Sequence, residues 1–205
     1  MASPRRIGAP DAKNRAILLD AAERLMLEEG YAAVSSRRVA AKAGLKPQLV
    51  HYYFRTMDDL FLAAFRRRAE EALERQARVL ASPQPLRALW EFNTDPRGTA
   101  LTMEFAALAN HRKAMRAELV HYAEQVRIQQ LDALSGLLER RTVDPEAVPP
   151  IVMMVLLTTA SQVLAIEESL GMSAGHAETV EFVERCLQQF EGPAANTVPD
   201  APGPR

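Results

Sequence analysis

The 205-residue sequence predicts an all-α fold of about nine helices, and three observations carry that prediction. Apolar residues recur at three- and four-residue spacings through most of the chain, and alternation is never sustained for the length of a strand. The breaks between periodic stretches are helix signals: Gly30 and Gly44 follow two of them, Ser35 and Thr56 precede two others, and Pro47 suits a first turn. Residues 34–60, VSSRRVAAKAGLKPQLVHYYFRTMDDL, set two short helices about a Gly-Leu-Lys corner just ahead of a long one. That is the layout of a helix-turn-helix, which places a short helix where it can enter a DNA major groove.

The first helix is expected over Lys13–Glu29, with Ile17, Leu18, Ala21, Ala22 and Leu25 as its apolar stripe and Gly30 as its stop. Tyr31 and Val34 anchor the connector. Ser35 caps a second helix, Ser36–Ala43, whose small face is Val39, Ala40 and Ala43; Gly44 ends it at a positive φ. The third, Pro47–Tyr53, turns Val50 inward, as Leu45 does just before it. Thr56 caps a long fourth helix, Met57–Leu80, with Asp59 completing a capping box. Five more are expected at Leu86–Phe92, Gly98–Ala109, Lys113–Arg141, Pro150–Leu170 and Ala174–Phe190, with Pro149-Pro150 leaving a start near Pro145 open. Residues 1–10 read as a flexible basic arm, 11–55 as the helix-turn-helix domain, 56–191 as a second helical domain, and the Pro- and Gly-rich 192–205 as a disordered tail.

Charge is divided unevenly along the chain. Residues 1–55 carry ten Lys/Arg against five Asp/Glu, whereas the whole chain has a net charge of −1, so the rest is acidic. Only the front is suited to a polyanion. A single cysteine, Cys186, excludes an internal disulfide framework and fits a reducing cytoplasm. No apolar stretch follows the basic residues of the start, so no secretory signal is expected. The most apolar run, Ile151–Ile166, is interrupted by Thr158, Thr159, Ser161 and Gln162 and reads as a buried helix rather than a span. His51, His111, His121 and His176 lack metal-site spacing, and no nucleophile–base pair or phosphate loop stands out, so no metal, cofactor or catalytic residue is expected.

The outward positions of the motif are the candidate DNA readers. Gln48 suits the edge of adenine and Arg37 that of guanine, while Leu49 suits a thymine methyl. Ser36, Lys46, Tyr52 and Tyr53 suit phosphates, with Pro47, His51 and Arg55 on the same surface. Arg5, Arg6, Lys13 and Arg15 form a basic arm for the backbone or minor groove. Phe54 is expected in the core, and Arg66-Arg67-Arg68 as a solvated stretch paired with Glu70, Glu71 and Glu74.

These residues carry a resemblance. Ile17-Leu18-Asp20-Ala21-Ala22, Gly30-Tyr31, Ser36-Arg37-Arg38-Val39-Ala40, Ala43-Gly44-Leu45, Tyr52-Tyr53-Phe54 and Asp58-Asp59-Leu60 together resemble the DNA-binding domain of the TetR (AcrR-like) family of bacterial repressors. The resemblance implies a cytoplasmic homodimer, nucleoid-associated when on DNA, that binds a palindromic operator through its first three helices. It implies a rear domain holding a small-molecule effector whose binding releases the operator. The sequence departs from the family pattern at Leu49, His51 and Met57, where Thr or Ser, Tyr and Lys are common; Lys46 and Arg55 are the basic residues nearest to them. An activator or dual regulator of the same fold, and a helical lipid-binding protein or enzyme with a vestigial head, remain alternatives.

In the rear domain, Met and aromatic residues with embedded polar groups suggest a pocket for a mainly apolar ligand: Trp90, Phe92, Met103, Glu104, Phe105, Tyr122, Met154, Thr158 and Gln162. The last two helices are more apolar than a solvent-facing surface permits. Val155, Val163, Ile166, Val180, Val183 and Leu187 are the candidate dimer residues, in a four-helix bundle with a second copy.

Overall fold

The computed structural model describes residues 13–140 and 149–193, which form helices, turns and connectors with no strand among them. The helices are α1 (Lys13–Glu29), α2 (Ser36–Ala43), α3 (Pro47–Tyr53), α4 (Met57–Leu80), α5 (Pro85–Asn93), α6 (Pro96–His111), α7 (Lys113–Arg140), α8 (Pro150–Ser169) and α9 (His176–Glu191). A short 3-10 turn over Tyr31–Ala33, absent from the sequence reading, joins α1 to α2. Helices α5 and α6 start earlier than the sequence suggests because Pro85 and Pro96 serve as first-turn residues. Helix α9 starts later because Gly175 before it is left-handed, at φ 80°. The basic arm Arg5 and Arg6, the tail beyond Pro193 and the alternative start at Pro145 lie outside the described residues.

The chain forms two compact units. The first comprises the residues up to Arg75 together with Pro96–Arg127, and the second Gln76–Asp95 with the chain from Ile128 onward. A boundary at 55/56 therefore misses how the first unit is built. Leu18, Leu19 and Met26 of α1 and Val39 of α2 share one core with Leu60, Phe61 and Phe65 of α4, Leu101, Phe105 and Leu108 of α6, and Met115 of α7. The aromatic rings set its geometry: Phe65 meets Phe105 edge-on at 5.2 Å and Tyr122 at 5.8 Å. Burial raises the pKa of the Tyr122 hydroxyl, as expected for a phenol inside an apolar cluster. Phe105 and Tyr122 are thus core residues of this unit and not pocket walls.

Charged pairs lock the outer faces of the same helices. Arg67 of α4 holds Asp20 and Glu23 of α1 at 2.7 Å each, Arg66 pairs with Glu118 of α7, and Arg112 holds Asp58 at 2.6 Å. The arginines of α4 were expected to pair along their own helix; two of them reach neighbouring helices instead. Glu104 also has a structural task. Its carboxylate accepts from the Tyr31 N–H at 2.6 Å, just after Gly30 turns the chain at φ 80°. Its ligand candidacy gives way to that of a clamp between α6 and the start of the 3-10 turn.

In the second unit, Leu86 and Trp90 of α5 pack with Leu134, Leu137 and Leu138 of α7, Met154 of α8, and Val183 and Leu187 of α9. Glu191 caps α5, accepting from the N–H groups of Leu86 at 2.6 Å and Arg87 at 3.0 Å. Val183 and Leu187 face this core, which removes them from the candidate dimer surface. Helix α8 is not buried as expected. Met154, Ser161 and Ala165 are covered, while Val152, Leu156 and Val163 on the opposite side, and Leu170 at the C-cap, are exposed. It is long and apolar enough to cross a membrane by length and composition, but Met154 on its inner face is part of a helical core.

Two outcomes test the first unit. Phe105→Ala should lower stability by about 3–5 kcal/mol in urea unfolding, through lost burial and the cavity left behind. The Arg66 guanidinium bonded to Glu118 holds that carboxyl below its ordinary pKa. Such a group adds stability above its unfolded pKa and loses it as pH falls through its folded value. Between about pH 5 and pH 3, unfolding free energy should therefore fall less steeply with acid in Glu118→Gln than in the native protein.

Candidate nucleic-acid interface

The motif is built by its caps. The Ser35 hydroxyl accepts from the Arg38 N–H at 3.4 Å and starts α2. At its other end Gly44 adopts φ 67°, ψ 27°, a left-handed state that a Cβ would penalise. The Leu45 N–H then donates to Ala40 O at 2.9 Å and the Gly44 N–H to Ala41 O at 3.2 Å, a Schellman ending that turns the chain sharply into α3. Pro47 opens α3, Val50 buries beneath it, and buried Phe54 closes it. The Thr56 and Asp59 side chains cap each other's N–H groups at 3.1 and 3.0 Å to start α4. A seven-residue helix is marginal alone. Here it is fixed at both ends and along one face.

That fixation decides which side chains face solvent. Lys46, Pro47, Gln48, His51 and Tyr52 are exposed, with Arg37 exposed at the first turn of α2 and Ser36 half-buried beside it. Among the described residues, the side chains of Arg37, Lys46, Gln48, His51 and Arg55 have no hydrogen-bond or ion-pair partner. Leu49 is half-buried, and Tyr53 packs against the core while meeting Tyr52 edge-on at 5.0 Å. Met57, standing where the family often has Lys, also packs on the core. Lys13 is exposed, whereas the Arg15 guanidinium stacks over the Phe54 ring at 5.4 Å.

The sequence reading missed how the remaining cations of α2 are used. Arg38 pairs with Glu29 and Lys42 with Glu28, tying α2 to the end of α1. The bond to Arg38 holds the Glu29 carboxyl below its ordinary pKa. A Glu-Glu pair ending α1 nine residues before an Arg was the available signal.

Comparison with known proteins agrees with this surface. The model for bacterial regulatory proteins of the tetR family matches residues 18–64, which spans α2, α3 and their caps. The HTH-type transcriptional regulator BetI of Rhizobium meliloti is 28% identical over 141 residues, covering 64% of this chain and 69% of BetI. The match to the tetR family is therefore to the head, residues 18–64. Two solved structures share the fold over nearly the whole length. Reduced Escherichia coli NemR superposes with a TM-score of 0.73 at 17% identity, covering 89% of this chain and 100% of NemR. The multidrug binding protein EbrR, complexed with imidazole, gives 0.59 at 24% identity over 96% of this chain and 100% of EbrR. The protein is a DNA-binding transcriptional regulator with a helix-turn-helix head.

Two substitutions separate reading from gripping. Gln48→Ala should relax base preference at one position of the site, worth about 1–3 kcal/mol of discrimination in a binding-site selection. Lys46→Ala should weaken all duplexes alike and reduce the salt slope of binding by about one.

Proposed function

We propose that the protein is a homodimeric repressor that binds a palindromic operator through α2 and α3 and is released by a small, mainly apolar effector. The observation that carries the dimer is the two-sided character of α8. Its inner stripe packs into the second unit, yet Val152, Leu156, Val163 and Leu170 repeat at spacings of four and seven residues on the outer side. On a helix those spacings form one continuous stripe. Beside it in the sequence, α9 exposes Val180 and Phe182. An uncovered apolar stripe of this length is unfavourable in water and is relieved by an identical stripe related by a twofold axis. Val163 and Val180 of the candidate dimer residues are exposed, and Val155 and Ile166 are half-buried at its margin.

A twofold pair presents two copies of α3, which matches two half-sites in inverted repeat, separated centre to centre by about one helical turn or a multiple. The protein acts by binding and not by turnover, in the cytoplasm where the chromosome lies. Repression or activation follows from where the operator stands relative to the promoter, so repression is the commitment of this reading. Footprinting tests it: a protected inverted repeat overlapping a promoter supports repression, and protection only upstream of a promoter supports activation.

The dimer has its own test. Leu156→Glu combined with Val163→Glu should convert the protein to monomers in sedimentation equilibrium and lower operator affinity at least tenfold, while helical content by circular dichroism stays unchanged. Dimers that persist in this double variant would sink the α8 interface.

A further inference from the structure

Helix α1 ends on two acids, Glu28 and Glu29, and has no basic residue in its last turn. The carbonyls at a helix C-terminus already present partial negative charge, so carboxylates placed there work against α1 itself. What they meet lies on α2. Glu29 accepts from the Arg38 guanidinium and Glu28 from the Lys42 ammonium. Arg38 and Lys42 stand four residues apart, so the two pairs follow one side of α2. The bond to Arg38 holds the Glu29 carboxyl below its ordinary pKa, and the charge of Lys42 adds to the effect. That acid therefore stays ionised wherever the protein works.

Helix α2 is held in place without these pairs. Ser35 caps its start, left-handed Gly44 closes its end, and Val39 and Ala40 are fully buried beneath it. Both pairs lie at the solvent edge, where the Glu28 and Glu29 side chains are 51% and 41% exposed. Exposed ion pairs contribute little to stability. Their consequence is electrostatic. In a helix-turn-helix the first helix of the motif crosses the DNA backbone while the second enters the groove. Here α2 is that first helix, and of its cations Arg37, Arg38 and Lys42, two are already occupied by carboxylates.

We propose that Glu28 and Glu29 are specificity-determining residues: as built-in counterions they withhold Arg38 and Lys42 from the DNA backbone and so suppress sequence-independent binding. Their carboxylate oxygens take the N–H donors that phosphate oxygens would take. A phosphate contact by Arg38 must break the bond to Glu29 and leave that carboxylate unpaired beside a polyanion. The exchange gains little, so neither cation adds much to the release of condensed counterions that drives non-specific affinity. Freed cations would favour the wrong sites most. In sequence-independent binding the head samples many orientations, and any open cation finds a phosphate. In the specific complex the base contacts of α3 fix the orientation, and only phosphates within reach then count. The device acts in a monomer or a dimer, with or without an effector.

The experiment titrates the full-length protein with a random-sequence duplex and with the best duplex of equal length from a binding-site selection, each over a series of KCl concentrations. In Glu28→Gln/Glu29→Gln, affinity for the random duplex should rise roughly three- to thirtyfold at about 0.1 M salt, and the log–log salt slope should steepen by about one to two. Affinity for the selected duplex should rise less, so the ratio of the two affinities falls. Arg38→Gln/Lys42→Gln should change random-duplex binding less than Lys46→Ala does, because its two cations are already withdrawn. Combining all four substitutions should restore the native slope, which separates freed cations from a mere loss of negative charge. If Glu28→Gln/Glu29→Gln fails to fold by circular dichroism, the comparison of Arg38→Gln/Lys42→Gln with Lys46→Ala decides. An unchanged slope in the Glu28→Gln/Glu29→Gln variant, a rise that survives removal of Arg38 and Lys42, or an equal gain for the two duplexes each overturn the proposal. So does a loss in Arg38→Gln/Lys42→Gln as large as that in Lys46→Ala.

Discussion

The DNA-reading head depends on apolar residues it does not itself contain. From Lys13 to Tyr53, α1 to α3 include two very short helices and no aromatic residue ahead of Tyr31. So small a three-helix unit buries too little surface to be stable alone. Phe61 and Phe65 of α4, Phe105 and Leu108 of α6 and Met115 of α7 close its core. The ionic contacts of Arg67 with Asp20 and Glu23, and the bond from Tyr31 to Glu104, hold the same helices from outside. Exposed ion pairs add little stability individually, but they restrict the angle at which helices pack. The geometry of α3 is therefore set by residues far from it in sequence.

A second consequence concerns charge. The surplus of positive charge in the first 55 residues suggests a broad basic face. The structure spends part of it internally, since Arg38 and Lys42 are held by Glu29 and Glu28 and Arg15 lies on Phe54. Arg37, Lys46 and Arg55 remain open around exposed Gln48 and His51. Fewer open cations weaken sequence-independent attraction to the duplex, and base contacts then count for more of the total. Leu49 and Met57 point the same way, because neither side chain can bond a phosphate and Met57 packs on the core.

The helices were legible in the sequence because their ends are written in local chemistry. Ser35, Gly44, Pro47, Thr56 and Asp59 each act within four residues of themselves, and each acts as its type predicts. The candidate ligand set was not legible. Met103, Glu104, Phe105 and Tyr122 fall in one unit and Trp90, Phe92, Met154, Thr158 and Gln162 in the other. Periodicity identifies the apolar face of a helix, but not which distant helix covers it. Glu104 looked like a polar residue embedded in an apolar run, and its partner is a backbone N–H 73 positions earlier. Gln76 and Gln130, which bond each other at 2.9 Å inside the second unit, carry no signal in the sequence, because a glutamine on a long helix reads as surface until its neighbours are known.

Helix α8 shows the same limit from the other side. Its sequence reads as apolar nearly all round, which is compatible with burial inside one chain or between two. The fold separates these cases: Met154, Ser161 and Ala165 are covered by the chain's own helices, and Val152, Leu156 and Val163 are not. Val183 and Leu187 of α9, which have the same composition as a dimer stripe, belong to the covered class. One helix thus carries Met154 of the second unit's core on its inner side and the stripe proposed for a second copy on its outer side. A rigid helix cannot shift one face without moving the other. A change in packing around Met154 therefore reaches the outer stripe through α8 itself.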